Sequence, residues 1–378
     1  MNRVYITACS VISSLGIGIE ESLSTLENDK ETIHIPDINE KFKKPYFPVS
    51  GDININKDIT LAARFTLKLM SIIEDKWINL CPLPVFLATS TGGIKETEEV
   101  YSNLFSTNKK FDLKGKHYFY DIYQSIKEKY NDKITDIYTF ATACSSSGHS
   151  ILHAYRFIKK GIINKALVIG VDALSITTMF GFDALKLVSQ NGTKPLSKGR
   201  DGLSLGEGGG ILLLESEPTS DPVAEILGVS SNSDGFHITS PNPAGTQQKE
   251  CILDAVKQAN IDIKEIKYIN AHGTGTPTND EIEVNVIKSL FKPGVIVTSL
   301  KGFIGHTVGS SAIADLVITL AMLKEKKIYQ QKNIGDPIDP DYIPTENIEN
   351  IDVKYFLKNS FGFGGNNVSM IIRTNNDK

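Results

Sequence analysis

Short apolar runs rich in β-branched residues recur along the chain, and segments with the apolar spacing of helices lie between them. Strands that alternate with helices are typical of an α/β fold whose sheet is covered on both faces. The predicted strands lie at 3–11, 84–91, 136–143, 166–174 and 210–216, and then at 223–231, 267–273, 294–299 and 367–374. The pattern therefore predicts two α/β units of similar rhythm, one in each half of the chain.

Two internal alignments indicate that the second unit repeats the first. The segment 204-SLGEGGGILLL-214 matches 360-SFGFGGNNVSM-370, since a glycine-rich turn leads into an apolar strand in both. The segment 148-GHSILHAYRFIKKG-161 matches 309-GSSAIADLVITLAM-322, since each has a small-residue start that opens into an apolar helix. Repeats in the same order predict a duplicated architecture, with halves at 1–220 and 221–378.

The two halves are predicted to pack closely, because no low-complexity linker separates them. The stretch 95–135 differs from its surroundings. It is rich in Lys, Tyr and Phe and has little periodicity, so we interpret it as an insertion in the first half that forms a lid or a partner surface.

Composition and charge exclude several classes of protein. The 378 residues are 40% hydrophobic and 22% charged, which is typical of a globular protein. The net charge is −4, and no cluster of Lys, Arg and stacking aromatics suggests a nucleic-acid groove. The first residues lack the order of a signal peptide, and no apolar run reaches membrane-spanning length. These features predict a cytoplasmic protein without a membrane span.

The cysteines are too scattered to form a recognisable framework. Cys9, Cys81, Cys144 and Cys251 show neither CxxC nor Cys/His metal spacing. The sequence therefore predicts no metal site and no disulfide scaffold.

Cys144 has the most informative surroundings of the four. It follows an apolar strand and precedes 145-SSSGHSILHAYRFI-158, which has the serines and the apolar spacing of a helix start. A thiol at the positive end of a helix ionises more easily, and nearby backbone N–H groups could stabilise an oxyanion. For a cysteine considered alone, inert packing in the core is the better interpretation.

Two further loops favour a catalytic role for Cys144 over inert packing. In 270-NAHGTGTPTNDEIE-283 an apolar strand ends at His272, and in 298-TSLKGFIGHTVGSSAIAD-315 both Lys301 and His306 lie in a small-residue segment before a helix. Strand ends and helix starts are where α/β folds place their chemistry. One thiol and two imidazoles on such loops form a set suited to acyl transfer.

Four segments resemble the signature segments of β-ketoacyl-[acyl carrier protein] synthases. They are 142-TACSSSGHSI-151, 272-HGTGTPTND-280, 301-KGFIGHTVGSS-311 and 359-NSFGFGGNN-367. The resemblance spans nearly the whole chain and implies the thiolase fold, in which duplicated βαβαβαββ halves form five layers, α-β-α-β-α. The chain start, 88-ATSTGGIKETEE-99 and the GGNN ending are also similar, more weakly, to ketosynthases of aryl-polyene-type pathways.

The resemblance implies the Cys-His-His set of elongating synthases. Cys144 would hold the acyl group, and His272 and His306 would bind the malonyl thioester as neutral imidazoles. The backbone N–H groups of Cys144 and Phe363 would stabilise the oxyanion. The implied reaction is a decarboxylative Claisen condensation with malonyl-acyl carrier protein, which lengthens the chain by two carbons in fatty acid or polyene/polyketide biosynthesis.

The same resemblance implies that Lys301 belongs to the catalytic set and that four further residues support the site. Lys301 and Glu283 would form a buried pair that organises the site. Thr274 and Thr276 would bind the pantetheine arm, and Phe363 would be a gate over the acyl pocket.

The implied partners are an acyl carrier protein and a second synthase-like chain. Arg64 and Lys68 lie one helical turn apart and resemble a docking face for acidic carrier proteins, although solvated helix surface explains them equally well. Substrates would arrive on phosphopantetheine, so no separate cofactor is expected. Both a homodimer and a heterodimer with a chain-length-factor-like subunit fit the resemblance.

Two alternatives remain open from the sequence. A noncatalytic chain-length-factor-like partner would shape the tunnel of another synthase, but such proteins lack the nucleophile that Cys144 supplies. A thiolase that uses coenzyme A would need a second catalytic cysteine, and Cys251 lies in no motif that would provide it.

Overall fold

The computed structural model describes residues 1–30, 32–35, 43–107, 119–218, 220–332 and 334–375, without the side chains of 103–107. The strands of the first half are β1 (Tyr5–Ser13), β2 (Gly16–Ile17), β3 (Leu83–Ala88), β4 (Ile134–Phe140), β5 (Lys165–Asp172) and β6 (Gly208–Glu215). Its helices are α1 (Ile19–Glu27), α2 (Leu61–Ile72), α3 (Glu74–Trp77), α4 (Ile94–Thr107), α5 (Tyr120–Tyr130), α6 (Ser146–Lys159) and α7 (Ile176–Ala184).

The second half repeats this order in fewer residues. Its strands are β7 (Ala224–Ser233), β8 (Ile266–Asn270), β9 (Ile296–Thr298), β10 (Tyr355–Gly362) and β11 (Asn366–Thr374). Its helices are α8 (Thr246–Ala259), α9 (Pro277–Leu290), α10 (Lys301–Ile304) and α11 (Ser311–Lys324). Apart from the short β2 and several additional helices, each half runs βαβαβαββ, as predicted.

The strand order shows that the two halves are related by an approximate two-fold axis. It reads β4-β3-β5-β6-β1 and continues β7-β11-β10-β8-β9. If the short β2 is not counted, the strands of each half, read from the outer edge inward, follow the order third, second, fourth, fifth, first. The first strands of the two halves meet at the centre. There β1 pairs antiparallel with β7, with Tyr5 opposite Glu225 and Ile6 opposite Ala224.

Two central helices pack between the sheets of the two halves. Both α6 and α11 contact strands from each half, and they contact each other. Along α11 the buried positions run continuously from Ser311 to Leu323, because this helix is covered on all sides. Its residues are mostly apolar, as such a helix requires, and Asp315 is its one charged residue within this range. On the outer faces, α2 packs on β1, β5 and β6, and α8 packs on β7 and β11. These helices complete the predicted α-β-α-β-α layers.

Both internal alignments correspond to equivalent elements. The first pairs β6 with β11, the fifth strand of each half, and the second pairs α6 with α11. All nine predicted strands are present within the described residues, with shifted ends. The pattern missed β10, whose centre carries Lys358, Asn359 and Ser360.

The stretch 95–135 contains most of α4, all of α5 and the start of β4. Ile122, Ile126 and Tyr130 of α5 are buried in the core beneath α2, so this part covers the sheet of the first half. Residues 108–118 lie outside the described residues, and the proposed lid or partner surface stays a prediction. No helix within the described ranges has both the length and the apolar character needed to cross a bilayer.

Candidate active site

One pocket joins residues from both halves and from several loops. Its cavity volume is about 230 Å³. Six of the residues predicted from the sequence line it, namely Cys144, His272, Thr274, Thr276, His306 and Phe363. The carboxyl ends of strands and the starts of helices meet here, as α/β topology favours.

Cys144 lies at a sharp turn between β4 and α6. Ala143, directly before it, has a φ of 51°, which a non-glycine residue adopts rarely. The Ser146 hydroxyl holds the turn, since it donates to the Ala143 carbonyl at 2.6 Å and accepts from the Thr142 N–H at 2.8 Å. The turn thereby places the Cys144 side chain in the pocket, although the residue is only 3% exposed.

The expectation that Cys144 ionises easily is wrong for the unloaded site. Burial raises the pKa of the Cys144 thiol to about 11, and hydrogen bonds from the backbone N–H groups of Phe363 and Cys144 only partly oppose the rise. Desolvation therefore outweighs the position at the helix start. The predicted oxyanion site consists of the same two N–H groups, and that role stays a prediction.

The two histidines are held by their backbones on neighbouring loops. Glu283 accepts the His272 N–H at 2.8 Å, and the His306 N–H donates to the Ser204 carbonyl at 2.8 Å. Their rings are nearly perpendicular, at 84°, with centroids 5.5 Å apart. Both Nδ1 atoms are buried and have no hydrogen-bond partner among the described residues.

Both imidazoles are neutral near neutral pH. Burial lowers the pKa of His306 to about 3 and lowers the pKa of His272 well below its usual range. The positive charge of Lys301 lowers both further. A neutral imidazole still has one N–H to donate, so the pair can stabilise negative charge on a bound thioester oxygen.

Lys301 does not pair with Glu283, and that prediction is wrong. Its ammonium donates to Asp315 Oδ2 at 3.0 Å, and Lys358 donates to the same oxygen at 2.9 Å. All three side chains are 0% exposed. The reason is geometric, because Glu283 already accepts the N–H groups of His272 and Gly273.

Strand β10 contacts the site at successive residues. The Asn359 side chain donates to Glu283 at 3.1 Å, and the Ser360 hydroxyl donates to the Cys144 carbonyl at 3.3 Å. The ring of Phe361 lies edge-on to His272 at 6.2 Å. A strand that the apolar pattern missed thus connects the nucleophile with the histidine loop.

Thr274 and Thr276 line the pocket with their hydroxyl groups 2.9 Å apart. Their loop is fixed by Asp280, which accepts the Thr274 N–H at 2.9 Å and the Gly275 N–H at 3.1 Å. Two hydroxyl groups at the side of a pocket suit the amide groups of a pantetheine arm.

Phe363 lines the pocket together with a second aromatic residue, Phe182. Its side chain stacks on Phe182, with ring centroids 5.6 Å apart and an angle of 24°. Gly364 and Gly365 follow with φ values of 76° and 74°, a conformation that glycine tolerates best. Any movement of Phe363 must therefore break the stack on Phe182.

Arg64 and Lys68 lie on α2, and neither lines the pocket. The Arg64 guanidinium donates to the Ile53 carbonyl at 2.8 Å. The docking role of both residues stays a prediction.

Comparison with known proteins identifies the family. Residues 136–220 match the model of "Beta-ketoacyl synthase, N-terminal domain", and residues 223–335 match that of "Beta-ketoacyl synthase, C-terminal domain". Together the two models match more than half of the chain. The chain belongs to the β-ketoacyl synthase family.

Curated relatives agree with this family over part of their length. The 3-oxoacyl-[acyl-carrier-protein] synthase 2 of Staphylococcus aureus is 32% identical over 249 residues, which are 61% of this chain and 62% of the relative. The matched region thus spans about three fifths of that relative.

Solved ketosynthase structures match the whole chain. The ketosynthase ApeO of Xenorhabdus doucetiae, in complex with its chain length factor ApeC, matches with a TM-score of 0.89 and 27% identity over 99% of this chain and 98% of that one. The AntDE:AntF complex of a type II PKS acyl-carrier protein with its ketosynthase matches with a TM-score of 0.88 and 25% identity over 99% of each chain. These similarities confirm the thiolase fold.

Among the buried charges of this family member, the sequence reading missed Asp315 and Lys358. A usable signal existed for Asp315, which is the one charged residue in the apolar segment 311-SAIADLVITLAM-322, whereas Lys358 lies beside Asn359 and Ser360 in 355-YFLKNSFG-362. A charge at a buried position is costly unless it is paired. Asp315 was therefore a candidate partner for Lys301, and Lys358 is a second cation that pairs with the same carboxylate.

Proposed function

We propose that this protein is an elongating β-ketoacyl-[acyl carrier protein] synthase that performs a decarboxylative Claisen condensation. The observation that carries the proposal is the shared pocket. A thiol beneath two backbone N–H donors faces the same cavity as two imidazoles that burial keeps neutral. The family membership supports the same reaction.

In the first step the Cys144 sulfur attacks the carbonyl carbon of an acyl thioester on a carrier protein. The new carbon–sulfur bond forms as the bond to the pantetheine sulfur breaks, and the thiol proton passes to that leaving sulfur. One thioester replaces another, so the exchange is close to thermoneutral. The backbone N–H groups of Cys144 and Phe363 would stabilise the transient oxyanion.

In the second step a malonyl thioester binds beside the two histidines. Its bond to the carboxylate carbon breaks, carbon dioxide leaves, and the electron pair forms an enolate. His272 and His306 each donate one N–H to the enolate oxygen. Imidazolium rings would also attract this oxygen, but their protons could quench the carbanion, so the lowered pKa values favour the condensation.

In the third step the enolate carbon attacks the acyl group on Cys144. The carbon–sulfur bond to Cys144 then breaks, and the thiolate takes up a proton from solvent because burial raises its pKa. The product is a β-ketoacyl thioester two carbons longer than the acyl group, and the loss of carbon dioxide drives the sequence forward.

The proposal includes a carrier protein and a second synthase-like subunit. Thr274 and Thr276 would hold the phosphopantetheine arm, and no separate cofactor is needed for the three steps. Because ApeO is in complex with a chain length factor, a chain-length-factor-like subunit is a specific candidate partner, besides a second copy of this chain. A cytoplasmic location and a role in fatty acid or polyene/polyketide synthesis belong to this proposal.

A noncatalytic role is the second candidate, and the site argues against it. A tunnel-shaping partner needs neither a thiol in the pocket nor paired neutral imidazoles. A coenzyme A thiolase is disfavoured because it would need a second cysteine at the site. Cys251 is buried, is hydrogen-bonded to Ser230 and does not line the pocket.

Intact-mass spectrometry tests the proposal. The protein is incubated with an acyl-carrier protein, alone and with a co-encoded synthase-like partner, and is weighed before and after addition of malonyl-carrier protein. We expect Cys144 to gain the acyl mass and malonyl-carrier protein to remove it. Loading that needs the partner would indicate a heterodimer.

The control variants separate the candidates. Cys144→Ala should abolish loading, whereas Cys251→Ala should load normally because that thiol does not line the pocket. Loading that persists in Cys144→Ala would contradict the assignment. Absence of loading in every arrangement would favour the noncatalytic role.

A further inference from the structure

Asp172, at the end of β5, is a buried carboxylate with no part in the three steps above. It is 1% exposed. Its Oδ1 atom accepts four hydrogen bonds of 2.8 Å, from the N–H and hydroxyl of Thr91, the Ser90 N–H and the Thr89 hydroxyl. Its Oδ2 atom accepts one, from the Gly309 N–H at 2.6 Å. Two oxygen atoms therefore hold two separate segments.

The Oδ1 atom supports the turn before the nucleophile. Ser90, whose N–H donates to Asp172, donates its hydroxyl to the Ala143 carbonyl at 3.1 Å and lies 3.3 Å from the Ser146 hydroxyl. Ala143 has the positive φ that turns β4 into α6. A non-glycine residue in this conformation costs about 1 kcal/mol or more and persists only where its surroundings hold it.

The Oδ2 atom supports the turn after His306. Val308 has a φ of 48°, which is unfavourable for a β-branched residue. The next N–H, from Gly309, donates to Asp172. Gly309 also packs so closely that a Cβ atom there would lie 2.4 Å from the Ser90 Oγ and 2.8 Å from Asp172 Oδ2.

The two catalytic loops thus share one anchor. The nucleophile turn belongs to the first half of the fold and the His306 turn to the second, and each contains a backbone conformation that needs external support. All five hydrogen bonds to Asp172 come from donors, which oppose the rise that burial causes in the pKa of its carboxyl group.

We propose that Asp172 is a positioning residue that sets the placement of Cys144 relative to His306 by fixing both strained turns with one carboxylate. The proposal rests on the proposed condensation. It assigns each carboxylate oxygen to one half-reaction, since Oδ1 acts on the acyl-accepting thiol and Oδ2 acts on the malonyl-binding imidazole.

Asp172→Asn separates the two oxygens. An amide keeps one carbonyl oxygen for the four donors of residues 89–91, but it turns an NH2 group toward the Gly309 N–H, so only the His306 turn loses its acceptor. We expect decarboxylation of malonyl-carrier protein to fall about 10- to 100-fold, because a misplacement near 1 Å costs about that much. Acylation of Cys144 should stay within about twofold.

Ser90→Ala should give the opposite split, meaning the opposite difference between the effects on acylation and on decarboxylation. It removes the hydroxyl that supports the Ala143 carbonyl and leaves the bond to Gly309. We expect Cys144 acylation to fall about tenfold while decarboxylation changes little. Glu225→Gln is the matched control, because Glu225 is a 6% exposed carboxylate that binds Arg3 at the junction of β1 and β7; it should produce no split.

Amide hydrogen exchange measures the two turns without any turnover. In Asp172→Asn, exchange should accelerate in peptides covering 303–312 and stay unchanged in those covering 142–150, and Ser90→Ala should reverse this. Equal loss of both half-reactions, or unchanged exchange at 303–312 in Asp172→Asn, would overturn the proposal. If Asp172→Asn fails to fold, Ser90→Ala tests the Oδ1 side alone, and an equal loss of both half-reactions in that variant would overturn the proposal.

Different results would refute the proposed condensation and the role of Asp172. Wild-type protein that neither acylates nor decarboxylates would refute the proposed function, whereas the exchange pattern would still decide whether Asp172 anchors both turns. An active wild type with an unsplit Asp172→Asn variant would refute only the role of Asp172.

Discussion

In the buried cluster of Lys301, Asp315 and Lys358, we expect loss of the acid and loss of one base to change the free energy of unfolding in opposite directions. Both ammonium groups share one carboxylate oxygen, at 3.0 and 2.9 Å, and all three side chains are fully buried. Asp315→Asn would leave two buried cations without this partner. Because removal of one partner from a buried ion pair costs about 3–5 kcal/mol, we expect the free energy of unfolding to fall by at least that amount.

Lys358→Met should have the opposite effect. Burial lowers the pKa of Lys358 from 10.5 to about 8 even beside Asp315, and a difference of about 2.5 units corresponds to about 3 kcal/mol. The folded protein therefore disfavours the charged form, and a methionine of similar length should leave stability at pH 7 unchanged or raise it by up to about 3 kcal/mol. Lys301 and Asp315 would remain as a pair.

The sign of the pH dependence follows from proton binding. Between pH 8 and 10.5 the unfolded chain holds the Lys358 proton and the folded chain has released it. The contribution of Lys358 to the free energy of unfolding of the wild type therefore increases with pH over this window. The difference between wild type and Lys358→Met isolates that term from other groups. Lys354→Met, which removes an exposed lysine just before β10, is the matched control.

Urea unfolding measures these differences. One fixed protein concentration is used, because the midpoint of any self-associating protein depends on concentration. The double variant Asp315→Asn with Lys358→Met should be more stable than Asp315→Asn alone, since one uncompensated cation is removed. A loss below about 1 kcal/mol for Asp315→Asn, or strictly additive effects in the double variant, would refute the reasoning.

Three further predictions concern the pocket. Because burial lowers the pKa values of His272 and His306, decarboxylation should show no loss between pH 8 and 5.5 from imidazole protonation; a midpoint near 6.5 in the pH profile would contradict this. Since the pKa of Cys144 is raised to about 11, the rate of its alkylation by iodoacetamide in the unloaded protein should increase roughly tenfold per pH unit up to that pH. A rate that stops increasing near pH 7 would instead show that the thiol ionises easily. Phe182→Ala removes the ring stacked on Phe363, so acylation by long chains should accelerate by several fold while acetyl loading changes little, and equal effects on both would argue against a gate.

Much of the fold was readable because its signals are local. Apolar runs mark nine strands, and the two repeats mark elements that occupy equivalent places in the halves. Strand β10 escaped because its polar residues are satisfied by distant elements, with Lys358 bound to Asp315 and Asn359 bound to Glu283. Such partners are not visible in a periodic pattern.

The site was readable to a similar degree. Cys144, His272 and His306 converge because each lies where a strand ends or a helix begins. The partner of Lys301 was misassigned because the choice between Glu283 and Asp315 depends on which backbone N–H groups occupy Glu283. Likewise, the thiol's pKa depends on its desolvation, which three-dimensional packing determines and spacing does not.

Transfer of labelled carbon tests the central claim most directly. The acylated protein is mixed with malonyl-carrier protein that carries 13C only in the free carboxylate. The 13C content of the product thioester and of the released carbon dioxide is then measured by mass spectrometry. The account predicts an unlabelled β-ketoacyl-carrier protein two carbons longer than the acyl group, with all label in carbon dioxide and Cys144 returned to its free mass. Label retained in the product, or acyl release without chain extension, would contradict a decarboxylative condensation at this site.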